Sequence, residues 1–209
     1  PKVLDADGMY YIGKPPVLPV GEELEFGHLP VADAYGCETR SLADRFADVI
    51  NIKDFGAKGD GTTNDTASIQ AAINACPVGG AVLIPFGQYV VTETLTIPKA
   101  LSIRGEAFGG AHSCIRCLGV TGKAVHVTAA NTYFDNFELT GTGTQKPQYG
   151  FYFDPLANPG ENVDVDCWFH GVFIRYMQTG VYCRGRGLNM FDCELAGLGY
   201  CVELDWPNQ

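Results

Sequence analysis

The chain has 209 residues, with 14 lysines and arginines against 24 aspartates and glutamates, a net charge of −10 and a pI near 4.7. That balance excludes a nucleic-acid groove or an anionic-membrane surface, both of which need clustered positive charge, and no window approaches the ~20 apolar residues of a membrane span. The length suits one substantial domain with a small appendage, and the 26 glycines suit short strands with frequent turns.

Residues 1–40 differ from the rest. Asp5-Ala-Asp-Gly8 sets a hairpin turn before Met9-Tyr-Tyr-Ile12, and Lys14-Pro-Pro-Val-Leu-Pro-Val-Gly21 is extended and proline-punctuated. The Asp-x-Asp-Gly step lacks the later ligands of a calcium loop, so it reads as a turn. This stretch holds too little apolar surface for its own core and is expected to be an arm that docks elsewhere. Residues 41–48 offer one or two helical turns. A first residue other than Met and an end just after an apolar strand pattern, with no secretory signal at the start, are read as an N-terminal fragment of a longer protein.

Val49-Ile-Asn-Ile52 reads as a short strand, and Gly56, Gly59 and Gly61 as consecutive sharp turns. Asp65 is placed as the side-chain N-cap of a helix over 66–76. In that helix Ile69, Ala72, Ile73 and Cys76 form one apolar stripe, and Pro77 with Gly79-Gly80 ends it.

From Ala81 onward short strands follow one another: 81–84, 89–91, 95–97, 101–103, 115–118, 124–127, 133–139, 150–153, 163–169, 171–174, 180–183, 189–195 and 199–204. Strands at this spacing without helices fit a sandwich, a barrel or a solenoid. An internal echo favours the solenoid. Tyr133-Phe-Asp-Asn-Phe-Glu-Leu-Thr-Gly141 matches Met190-Phe-Asp-Cys-Glu-Leu-Ala-Gly197 with one residue fewer, and Gly150-Phe-Tyr-Phe153, Gly171-Val-Phe-Ile174 and Gly180-Val-Tyr-Cys183 repeat a glycine before strand residues. Coils of roughly 20–30 residues fit a β-solenoid. Leu83, Val90, Leu101 or Ile103, Phe134, Phe191 and Leu195 are expected to point inward, and the helix to cover the exposed first edge.

The run Asp54-Phe-Gly-Ala-Lys-Gly-Asp-Gly-Thr-Thr-Asn-Asp-Thr66, followed by Ile69-Gln-Ala-Ala-Ile73 and Gly79-Gly-Ala-Val-Leu-Ile-Pro-Phe-Gly-Gln-Tyr-Val90, closely resembles the opening of the pectate-lyase-like parallel β-helix family. Phage tailspikes, polysaccharide hydrolases and some epimerases share that opening. Ser41-Leu-Ala-Asp-Arg-Phe-Ala-Asp-Val-Ile50 resembles the lead-in that tailspikes place before it. The resemblance covers Ser41 to the C-terminus and is specific for fold, not for chemistry. The family usually has two acidic residues where this chain has Asn64-Asp65.

The resemblance implies an all-β, right-handed parallel β-helix with an N-terminal capping helix and a small arm. Its parts would be an attachment or inter-subunit arm over 1–40, a neck with the capping helix over 41–80, and the first coils over 81–209. It implies a homotrimer in the phage virion, made in the bacterial cytoplasm with reduced thiols, that holds tail or adaptor proteins through the arm. The β-helix would bind and cleave bacterial capsule or O-antigen. No cofactor or metal is implied, and the active sites of such proteins lie in the middle coils or between subunits, so the fragment alone is expected to be catalytically incomplete. The alternative is a free-standing microbial polysaccharide hydrolase or lyase of the same fold.

A glycosidase needs paired carboxylates roughly 5–9 Å apart. Asp164-Val-Asp166 and Asp192-Cys-Glu194 each place two on one strand face, ~7 Å apart by strand rise, so four acidic groups are expected along one solvent-facing sheet. His170, Arg175, Arg184 and Arg186, with Trp168, Phe173 and Tyr182, would suit a sugar-binding groove beside them. Against this, outward positions of such strands are routinely acidic in a chain of charge −10. His170-Gly171 resembles the His-Gly step of pectin hydrolases, but the accompanying aspartate motifs are absent and no role is carried over. Gly56–Gly61 lacks the Lys-Ser/Thr of a phosphate loop. The eight cysteines read as buried thiols. Cys114-Ile-Arg-Cys117 has no partner motif at zinc spacing, and on a strand its two thiols diverge.

Overall fold

The computed structural model of the chain describes residues 2–4, 10–12, 49–106, 113–144, 146–154, 164–197 and 199–205. The chain divides into two compact units, Pro1–Ala43 and Asp44–Gln209. In the first, β1 (Lys2–Leu4) pairs antiparallel with β2 (Tyr10–Ile12) as a hairpin. The turn that joins them, the proline-rich stretch and the helical turns expected over 41–48 lie outside the described residues.

The second unit is a stack of coils whose strands pair in parallel. The first coil holds β3 (Val49–Asn51), a single 3-10 turn over Ile52–Phe55, β4 (Asp60–Asn64) and α1 (Thr66–Ala75). The second holds β5 (Ala81–Ile84), β6 (Gly87–Val91) and β7 (Leu95–Ile97), and the third β8 (Ser102–Gly105), β9 (Ser113–Cys117) and β10 (Lys123–Val127). The fourth holds β11 (Tyr133–Asp135), β12 (Glu138–Thr140) and β13 (Tyr149–Phe153). The fifth holds β14 (Asp164–His170), β15 (Phe173–Arg175) and β16 (Thr179–Arg184). The sixth holds β17 (Arg186–Phe191), β18 (Glu194–Ala196) and β19 (Tyr200–Asp205). Stacking gives a first sheet of β3, β5, β8, β11, β14 and β17, a second of β4, β6, β9, β12, β15 and β18, and a third of β7, β10, β13, β16 and β19. Ala81 pairs with Ser102, Ser102 with Tyr133, Tyr133 with Trp168 and Trp168 with Asn189, so successive coils consume 21, 31, 35 and 21 residues. The chain is thus an all-β parallel β-helix.

Alternation fills the centre from all three sheets. Phe134 is the hub, with ring centroids 4.8 Å from Phe151 and from Phe169 and 6.1 Å from Phe153. Leu101 and Ile103 are also buried. Val90 is buried without joining that core, and Leu195 packs against it while partly exposed. Two expectations fail: Leu83 turns outward between buried Val82 and Ile84, and Phe191 is 58 % exposed. The second failure has a clear cause. The stretches 133–139 and 189–195, read as single strands, each break at a corner, Asn136 (φ 55) and Asp192 (φ 51). Gly171 (φ 62) occupies the same corner in the coil between them, where Asn136 N donates to His170 O and Gly171 N to Phe191 O. The repeats therefore align without a gap. Met190, not Phe191, sits beneath Phe134 and Phe169, and Phe191 follows Asp135 and His170 outward.

α1 takes the place of a third-sheet strand in the first coil. Ile69, Ala72, Ile73 and Cys76 are at most 2 % exposed, and Ile69 and Ile73 join Leu95, Ile97 and Phe134 around an apolar void of about 20 Å³. Gln70 pairs with β7 through its amide: Nε2 donates to Thr96 O at 2.9 Å and Oε1 accepts from Thr96 N at 2.8 Å. The N-cap differs from expectation. Asp65 makes no side-chain bond to the helix, and Asn64 Oδ1 instead accepts from Thr66 N at 3.0 Å. The buried Asp65 carboxylate turns back and accepts from Lys58 N at 2.7 Å and Gly59 N at 3.1 Å, pinning the glycine turn.

Candidate functional site

The four carboxylates singled out by sequence do not line one sheet. Asp164 and Asp166 stand on β14 in the first sheet, where the register shifts between Asp164 and Cys167 and Asp166 adopts φ 40. Asp164 Oδ1 lies 3.2 Å from Arg186 Nε with both side chains exposed. Asp192 occupies the corner, and Glu194 opens β18 in the second sheet, 2.9 Å from Arg175 Nη2. Arg175 Nη1 in turn lies 3.7 Å from Glu138 Oε2, which is buried. Sequence spacing alone could not separate Asp192 from Glu194, because the corner between them is set by backbone conformation.

The sequence reading overlooked Asp135. Its Oδ1 lies 2.8 Å from His170 Nδ1, and Asp192 Oδ2 lies 3.8 Å from His170 Nε2. The hydrogen bond to Asp135 holds the His170 pKa above its ordinary value, helped by the charges of Asp135 and Asp192. Because the folded value is raised, the stabilisation from this pair is complete below the unfolded pKa, about 6.5, and is lost as pH rises through the folded value. NMR titration should place His170 above the free imidazole, and Asp135→Asn should bring it down. An unchanged midpoint in that variant would show that the contact does not bind the proton.

The third sheet carries a different assembly. Val125, Val127, Phe151, Phe153, Val181 and Cys183 point inward, which sends His126, Tyr152 and Tyr182 outward in one register row. Tyr152 and Tyr182 stack at 4.6 Å and 11°, His126 meets Tyr152 edge-on at 5.7 Å, and Tyr149 packs 5.0 Å from Tyr152. Lys123 Nζ sits 3.7 Å over the Tyr152 ring and 3.4 Å from His126 Nε2. Tyr182 donates its hydroxyl to Asp205 at 2.8 Å, and Arg184 lies 3.8 Å from Asp154. Gly150, on the strand that carries Tyr152, leaves no room for a side chain, since a Cβ there would stand 2.5 Å from Gly180 O and close to the buried Ile174 and Met177. An open cleft of about 400 Å³ adjoins it, lined by Lys146, Gln148, Tyr149, Gln178, Tyr200 and Glu203 among others.

Here the titratable groups are perturbed together. Burial, reinforced by Lys123, lowers the His126 pKa against the pull of Asp154. Burial raises Tyr152 and Tyr182, and the bond to Asp205 raises Tyr182 further. The face thus offers a neutral imidazole, protonated phenols and a lysine ammonium side by side. Perturbed groups beside a cleft are what binding and proton-transfer sites display. Of this row the sequence reading named only Tyr182, although Tyr152 and Tyr182 hold the same place in the Gly150 and Gly180 echoes.

The reading of all the thiols as buried holds in part: Cys76, Cys114, Cys117, Cys167 and Cys183 are buried, whereas Cys193 is half-buried and Cys201 is exposed. Cys117 joins the core while Cys114 does not, and burial pushes both up to about 12, far from reactive thiolates. Cys37 lies outside the described residues. Among the described residues no group of three His, Cys, Asp or Glu side chains is placed to hold a metal ion, and no helix is long and apolar enough to cross a membrane.

The profile of the family described as rhamnogalacturonase A/epimerase, pectate lyase-like, matches residues 49–147. The chain is 34 % identical over 185 residues to the tail spike protein of Shigella phage Sf6, across 79 % of this chain and 29 % of that one. It is 37 % identical over 164 residues to the capsule K30/K69-specific depolymerase 1 of Klebsiella phage K5-2, across 78 % of this chain and 19 % of that one. Among solved structures, the Dettilon tailspike protein superposes with a TM-score of 0.58 at 22 % identity, over 81 % of this chain and 32 % of that one. The chain spans less than a third of each of these relatives.

Proposed function

We propose that this chain, which belongs to the phage tailspikes of the pectate-lyase-like parallel β-helix family, is the part of a tailspike that leads from virion attachment into a body that binds and depolymerises bacterial surface polysaccharide. The observation that carries this reading is the third-sheet face. A row of tyrosines with a neutral imidazole, beside a cleft lined by amides, a lysine and a glutamate, suits a ligand rich in hydroxyl groups. The sequence relatives support the same reading, one being a tail spike protein and another a capsule-specific depolymerase.

Within this proposal residues 1–40 hold other tail proteins, the parent protein is a homotrimer in the virion tail, and its thiols stay reduced. Asp164, Asp166, Asp192 and Glu194 remain the carboxylates proposed from sequence for acid, base or nucleophile, with Asp154 and Asp205 added by their place beside the tyrosine row. Cleavage by hydrolysis and by elimination are both chemically open to such groups.

The test is to expose a panel of bacterial capsules and O-antigens to the parent protein and to this chain alone. New reducing ends report hydrolysis, and ultraviolet absorbance of an unsaturated product reports elimination. The parent is expected to sediment as a trimer and to cleave at least one polymer, while this chain alone turns over little or none. Asp154→Asn in the parent should lower cleavage tenfold or more. A parent that neither binds nor cleaves any member of the panel would overturn the proposal.

A further inference from the structure

The first sheet presents a second surface that neither the third-sheet face nor the histidine cluster uses. One outward row runs Val49, Ala81, Ser102, Tyr133, Trp168 and Asn189 across successive strands. Tyr133 and Trp168 stack on each other at 4.7 Å and 7°, so one face of Tyr133 is covered. Its other face looks over Ser102 and Ala81, two small side chains, and the residue stays 45 % exposed. With strands ~4.8 Å apart, those two small residues leave about 10 Å of floor between Tyr133 and the exposed Val49.

Arg104 stands two residues from Ser102 on β8, outward and exposed, diagonal to Tyr133. That diagonal is within reach of a long side chain. Its register partner Asp135 accepts from His170 Nδ1 through Oδ1, and Arg104 forms no ion pair among the described residues. A free guanidinium therefore sits beside an uncovered aromatic face over a flat, shallow floor, on a chain of net charge −10.

We propose that this notch binds one acidic sugar unit, the pyranose lying against Tyr133 and its carboxylate taken by Arg104. Aromatic faces accept the C–H face of a sugar ring, and the planar guanidinium matches a carboxylate with two parallel hydrogen bonds. The proposal rests on the polysaccharide reading above and adds a site on a different sheet with a stated charge preference.

The probes are an oligogalacturonate and a neutral dextran oligomer, titrated into this chain by calorimetry with ligand-observed NMR, far-UV circular dichroism confirming that each variant is folded. Oligogalacturonate should bind and dextran should bind at least tenfold more weakly. Tyr133→Ala and Arg104→Ala should each weaken oligogalacturonate tenfold or more, while Arg104→Lys, which keeps the charge but not the fork, should fall between. Lys53→Ala, which removes an exposed positive charge elsewhere, should change nothing. Equal binding of dextran, no binding of oligogalacturonate, or a loss seen with Tyr152→Ala but not with Tyr133→Ala would each overturn this site. In those cases cleavage of a capsule by the parent would still uphold the broader function, whereas a parent inert to every polymer would remove both.

Discussion

Phe134→Ala is expected to lower the free energy of unfolding by about 3–5 kcal/mol, the range for removing a buried phenylalanine ring. Phe134 is 1 % exposed and touches rings from two sheets, Phe169 on the first and Phe151 and Phe153 on the third. The coils on either side hold their backbones in parallel ladders, so they cannot collapse into the space left behind, and the cavity cost adds to the lost transfer energy. Stabilities of whole domains are commonly about 5–15 kcal/mol, which makes this loss a large share of the total. Urea unfolding followed by circular dichroism measures it. Phe134→Leu, which keeps most of the volume, should cost far less, and a loss below about 1 kcal/mol for the alanine variant would show that the aromatic hub does not hold the sheets together.

The second large effect is expected at Asp65. Replacing it by alanine leaves the part-buried Lys58 N and Gly59 N without their carboxylate, and a hydrogen bond to a charged group contributes roughly 1.5–3 kcal/mol. Two such bonds give an expected loss of about 3 kcal/mol for Asp65→Ala. Asn64→Ala, which removes the true side-chain cap of α1, should cost about 1 kcal/mol. The ranking of the two variants in the same unfolding experiment is the decisive result. If Asn64→Ala proved the more damaging, the clamp on the glycine turn would matter less than the helix cap.

Asp65 also shows how far the chain could be read in advance. An aspartate before Thr66 is a sound cap signal, and only the position of the loop folding back over it reveals that Lys58 and Gly59 are the better donors. Strand positions after Ala81 were legible because their apolar alternation is strong and glycines punctuate it. Where the corner residue was glycine, at Gly171, two strands were read. Where it was Asn136 or Asp192, one strand was read across the bend. Asparagine and aspartate tolerate the left-handed backbone at modest cost, so the corner leaves a weaker mark there. From that one miss followed the misplacing of Phe191 and the false pairing of Asp192 with Glu194. β4 was missed as well, since Asp60-Gly-Thr-Thr-Asn64 has turn composition and becomes a strand only through pairing with β6. The Tyr152–Tyr182 stack and the Asp135–His170 contact join residues 30 and 35 positions apart, and coil lengths that vary from 21 to 35 residues hide such neighbours from any fixed period.

Gln70 gives the stack a direction. By meeting both backbone groups of Thr96 with a single side chain, it satisfies the edge of β7 as a neighbouring strand would, while offering no edge of its own beyond. The third sheet therefore takes no further strand at Thr96 of β7, and strand-to-strand recruitment of another chain is blocked there. The same amide fixes the origin from which coils are counted. A slip of one residue in a later coil must be absorbed in a loop, because the first coil is already anchored to Thr96.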